Sequence, residues 1–119
     1  MIQIEFKYNK KQDWLTPIFT DEKYSSVELI GNRNWTSQRI EEDIEYTKQA
    51  KAGSLKLEEG EDDFYIGFEG SPGIIYVKNG DRAYVETQYE DREDYLILEF
   101  DELLDILEQM YNFLKSIGK

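Results

Sequence analysis

The sequence predicts an α+β fold. An antiparallel meander of about five to six strands carries a C-terminal amphipathic helix on one face, with a second, thinner helix elsewhere. Three observations predict it. Short alternating apolar segments recur between turn signals across residues 54–100. The Asn79-Gly80 pair among them is a strong hairpin signal, because a type I′ turn needs positive φ at both central positions. Apolar residues after Asp101 then switch to helical spacing. The 119 residues suit one domain, residues 1–119, and leave little room for a second core.

The elements follow in order. Ile2, Ile4, Phe6 and Tyr8 alternate with polar residues, as a half-buried strand does. Residues 14–20 contain Pro17, which has no N–H to donate, so this piece is expected at a sheet edge or in a loop. Residues 27–30 form a short strand candidate. Thr36 is placed to cap a first helix that Gly53 stops. Trp35 and Ile40 stand at the spacing of a hydrophobic staple. The stripe of this helix is thin (Ile40, Ile44, Tyr46, Thr47, Ala50), which places it at the surface.

Meander strands are expected at residues 54–58, 63–69, 74–78, 81–88 and 95–100, with Gly70-Ser71-Pro72-Gly73 as one turn. Leu55, Leu57, Phe64, Ile66, Phe68, Ile75, Val77, Val85, Leu96, Leu98 and Phe100 are assigned to the core face. Tyr65, Ile74, Tyr76, Tyr84, Tyr95 and Ile97 fall on the other face, covered in part by the first helix or by residues 14–19. Asp101 is the expected cap of the last helix. Leu103, Leu104, Leu107, Met110, Tyr111, Leu114 and Ile117 are its stripe.

Composition narrows function. There is no Cys and no His, so the commonest general base, thiolate chemistry and the commonest zinc ligands are missing. No enzyme activity and no cofactor are expected. The acidic run 58–63 offers oxygen ligands but lacks the EF-hand spacing, so no metal site is assigned. The stretch 70–73 matches neither a nucleophile elbow nor a phosphate loop. No apolar run is long enough for a membrane helix, and residues 1–6 alternate, unlike a signal peptide. A cytoplasmic protein is therefore expected.

Acidic residues outnumber basic ones 26 to 14, a net charge of -12. Direct binding of nucleic acid is disfavoured, since phosphates would be repelled. The surplus gathers in three clusters, at 41–45, 58–63 and 90–94. Each is readable as a solvated helix face or turn. Together they suit the steering of a basic partner. Tyrosine on a sheet face adds contact area with a hydrogen-bonding tip. The expected partner surface is Glu41, Glu42, Glu45, Glu58, Glu59, Asp62, Asp63, Tyr65, Tyr84, Tyr89, Glu90 and Asp91.

In size, acidity, lack of cysteine and the order of its elements, the chain resembles the small acidic immunity proteins of bacterial polymorphic toxin and contact-dependent growth inhibition systems. The segments that carry the resemblance are 63–69, 73–87 with Asn79-Gly80, and 95–115. It implies an inhibitor that binds one cognate toxin domain, often a nuclease. Contact residues in that group vary with the toxin, so none is carried over. The competing account is a small acidic regulatory or scaffolding domain with no toxin partner.

Overall fold

The computed structural model describes residues 1–24, 32–33, 35–54, 59–60, 63–68, 71–77, 82–86 and 95–119; for 32–33, 63–68, 71–77, 82–86 and 95–96 it describes backbone course and pairing. The chain is α+β, and the described strands all pair antiparallel. The described strands form two ladders, of three and four strands, where the sequence reading expects one sheet of five to six. Expected strands at 27–30 and 55–58, and the Asn79-Gly80 turn, lie outside the described residues.

The first ladder runs β1 (Ile4–Asn9), β2 (Trp14–Phe19), β3 (Asn32–Arg33), with β2 in the middle. Pro17 is thus in a central strand, contrary to expectation. Among the described residues β3 pairs with Trp14 and Leu15, and Pro17 pairs with Phe6 of β1. β1 alternates half-buried and exposed residues as its sequence requires.

The second ladder is a meander of four described strands: β4 (Asp63–Phe68), β5 (Ser71–Val77), β6 (Arg82–Glu86) and β7 (Tyr95–Glu99), each paired with the next. β5 begins at Ser71, so Ser71, Pro72 and Gly73 belong to a strand and not to the turn expected there. Ile66 pairs with Ile74 and Phe68 with Ser71, which sets Gly67 against both Pro72 and Gly73. This is a bulge, a position where a strand accommodates proline.

Helix α1 (Ser37–Ala52) starts and stops where its sequence indicates. Thr36 accepts from the Arg39 N–H, and Gly53 closes the helix at φ 70°, a left-handed conformation that glycine adopts without strain. Helix α2 (Phe100–Ser116) follows β7 with no loop between them. Its cap is Glu99, not Asp101. The Glu102 carboxylate accepts from the Glu99 N–H at 3.1 Å, and Asp101 lies in the first turn.

α1 and α2 pack antiparallel. Lys51 pairs with Asp101 at one end, and the Ser37 N–H donates to the Lys119 carbonyl at the other. α1 is therefore more than a surface helix: it buries Ile40, Asp43 and Thr47. α2 buries Phe100, Leu103, Ile106, Leu107, Met110 and Leu114. Ile106 joins the expected stripe, while Leu104 and Tyr111 are half-buried and Ile117 is exposed beyond the last turn. The core closes with Leu15, Phe19, Tyr24, Trp35 and Leu98. Trp35 and Ile40, the staple pair, are both within it. The described core thus lies between α2, α1 and the first ladder, with β7 at the N-terminal end of α2. Of the residues assigned to the core from the meander, Leu98 and Phe100 are buried; the side chains of the others lie outside the description.

Candidate protein-binding face

The faces of the second ladder follow from its register. Tyr65 pairs with Ile75, Ile75 with Tyr84, and Tyr84 with Ile97, so these four form one row across the sheet. Ile97 is 45% exposed, which identifies the solvent side. The row Phe64, Tyr76, Ala83, Leu98 belongs to the opposite face, and Leu98 is buried.

This corrects the phase of β5. Ile75 and Val77 share the face of Tyr65 and Tyr84, while Ile74 and Tyr76 share that of Leu98. Four expected tyrosines on one face become three: Tyr65, Tyr84 and Tyr95. Ile74-Ile75-Tyr76-Val77 is apolar at every position, so periodicity assigns it no phase; the neighbouring strands do. Residues 14–19, one expected cover for this face, are instead β2 of the other ladder, and α1 packs along α2.

By the same register Asp63, Glu86, Glu99 and Arg82, the cross-strand partner of Glu99, share the face of Ile97. The sequence does not single out Glu86 and Glu99, because each stands alone in its strand, outside the three charge clusters. Glu41, Glu42 and Glu45 are exposed on α1, with Glu45 three and four residues beyond the other two and so on their flank. Glu59 is exposed in a turn. Among the twelve expected contact residues, Asp63, Tyr65 and Tyr84 come together on the sheet and the three α1 glutamates on the helix. Glu58, Asp62, Tyr89, Glu90 and Asp91 lie outside the described residues.

A second acidic feature is knit into the fold. Asp101, Glu102, Asp105 and Tyr24 line a cleft of about 590 Å3 near Met1. Each carboxylate there has an internal partner. Asp101 pairs with Lys51, and Asp105 accepts from the Ile2 N–H. Glu102 accepts from Lys23 and from the Tyr24 hydroxyl. Burial opposes ionisation of Glu102, but these bonds and the Glu99 N–H outweigh it and hold its pKa below the usual value. Burial and the bond to Glu102 push the Tyr24 hydroxyl up.

Asp43 was not foreseen as buried. It is 3% exposed, and burial raises its pKa from 3.8 to about 7, with the nearby Arg39 charge working against that rise and Glu42 adding to it. Among the described residues no group of three acidic side chains is arranged to hold a metal ion, and no helix is long and apolar enough to cross a membrane. Comparison with protein-family models, with curated proteins and with solved structures returns no match.

Proposed function

We propose that the chain is an immunity protein that binds and neutralises a basic toxin domain, of which a nuclease is the foremost type. The observation that carries this reading is the row Tyr65, Ile75, Tyr84, Ile97 on the side of the sheet where Ile97 is exposed. An aromatic and aliphatic centre rimmed by charge has the make-up of a protein interface. Three of the four charged positions around it are acidic (Asp63, Glu86 and Glu99 against Arg82), and the whole chain carries -12. A surface of that sign is suited to a cationic cleft that otherwise holds phosphate. Long-range attraction speeds encounter, and desolvated tyrosine contacts slow release. The protein acts inside the cell that makes it, as a stoichiometric binder without catalysis.

The test has two steps. The tagged chain is used to capture its partner from the source organism, with identification by mass spectrometry. The captured domain is then expressed with and without the chain. The proposal expects a basic domain whose toxicity the chain abolishes. A neutral or acidic partner, or toxicity that persists with the complex formed, refutes it.

A further inference from the structure

Among the described residues β1 pairs with β2 alone, which leaves it at an edge of its ladder. In an antiparallel ladder, residues whose N–H and C=O bond the neighbouring strand alternate with residues whose groups point away from it. The Thr20 N–H donates to the Gln3 carbonyl, and the β1–β2 register continued by one pair sets these two opposite each other. Gln3, Glu5, Lys7 and Asn9 therefore bond towards β2. Ile2, Ile4, Phe6 and Tyr8 present their backbone groups on the outer side. At Ile2 that outer pair is filled from α2: its N–H donates to the Asp105 carboxylate at 2.7 Å, and its carbonyl accepts from the Gln109 amide at 2.9 Å. Among the described residues nothing does the same for Ile4, Phe6 and Tyr8, so the open stretch of edge is Ile4–Tyr8.

Such an edge is a template for a further strand. The residues along it select which one. Phe6 is the midpoint of the open stretch, and a second copy laid antiparallel about a twofold axis at Phe6 repeats every match on both sides. Phe6 then faces Phe6 of the second copy and Ile4 faces its Tyr8, each a hydrogen-bonded pair made by the outward groups. The pairs between them, in which side chains approach more closely, set Glu5 against Lys7. Both of these side chains are exposed, on the face opposite half-buried Ile4, Phe6 and Tyr8. The adjoining registers that keep the hydrogen bonds set Glu5 against Glu5 or Lys7 against Lys7, and like charges directly opposite are destabilising. The free stretch of backbone and the charge pattern thus select the same centre.

We propose that β1 is a self-association edge, through which two copies of the chain join their first ladders into one continuous sheet by antiparallel pairing centred on Phe6. The inference does not rest on the inhibitor reading and uses no residue of the Tyr65 row. Each copy carries -12, so the dimer is weak and forms where salt screens the repulsion.

The test is sedimentation velocity of the full chain at physiological salt, where screening acts beyond about 8 Å, over concentrations from about 10 μM to about 1 mM. The expected result is a dimer that grows with concentration. Glu5→Lys and Lys7→Glu, both at exposed positions, are each expected to weaken it by about fivefold or more, and the double exchange to restore it. The chain has no cysteine, so disulfide trapping gives a second readout. Glu5→Cys mixed with Lys7→Cys should oxidise to the mixed dimer about fivefold or more faster than either variant alone, because only that combination sets the two sulfurs opposite each other. A chain that stays monomeric throughout, a dimer indifferent to the charge exchange, or equal trapping in all three samples would overturn the proposal. So would a monomeric chain whose Ile4, Phe6 and Tyr8 amides gain protection from exchange only in the complex with its captured partner, since the edge would then belong to a foreign strand.

Discussion

Ile97 and Leu98 are neighbours in β7 on opposite faces of its sheet, one 45% exposed and the other fully buried. That contrast separates the two faces of β7, and register gives each paired residue of the ladder one face or the other. Leu98→Ala should cost about 2–5 kcal/mol by opening a cavity in the core. Ile97→Ala should change stability by no more than about 0.5 kcal/mol and yet weaken partner binding. Urea unfolding of both variants, with a binding assay on the second, checks the pair. A large stability loss at Ile97 would mean that this face is covered.

Asp43 makes stability depend on pH in a defined direction. Its folded pKa, about 7, is above its ordinary 3.8, so the folded chain binds the extra proton between these values. Stability contributed by the neutral acid is therefore full below about pH 4, falls as pH rises towards 7, and levels off above it. A rise from 3.8 to about 7 corresponds to a span of roughly 4 kcal/mol. Asp43→Asn should remove that slope. Denaturant midpoints at pH 5 and pH 8 for both proteins measure it.

Glu102 acts with the opposite sign. Its folded pKa is below the usual value, so its contribution is present above the ordinary carboxylate range and is lost as pH falls through the folded pKa. The two groups together predict greatest stability in mildly acid solution. Glu102→Ala, which frees the Glu99 N–H and the Tyr24 hydroxyl, should cost about 1–3 kcal/mol at neutral pH. Its effect should shrink in strong acid, as thermal unfolding at pH 3 and pH 7 would reveal.

The start of α1 offers a simpler check. Thr36→Ala removes the oxygen that accepts from the Arg39 N–H and should cost about 1 kcal/mol. Thr36→Ser should restore most of the loss. Equal stability of all three proteins would show that this cap contributes nothing.

These features were not equally readable. Thr36 and Gly53 bracket α1 because caps are local chemistry, written in the residues that perform it. The α2 stripe was nearly complete because a buried helix repeats its pattern over four turns. β5 was misphased because Ile74 to Val77 offers no polar position to mark the outside, and only long-range pairing does. Asp43 reads as one more solvated acid in Glu41-Glu42-Asp43. It is buried with Ile40 and Thr47 on one face of a helix whose own apolar pattern is weak. The cap of α2 was displaced to Glu99 because a strand runs straight into the helix, leaving no turn residues to signal the boundary. Residue type is enough to propose Tyr65 and Tyr84 for a contact surface, whereas Ile75, Glu86 and Glu99 share their face only through register.

The claim on which the function rests is that surplus carboxylate draws in a cationic protein. It is tested most directly by the association rate constant with the captured partner, measured from low to physiological salt. Steering predicts a fall of about tenfold or more over that range, and a comparable fall at low salt when Glu58, Glu59, Asp62 and Asp63 are reversed to lysine. A rate that moves with neither salt nor charge reversal would contradict it.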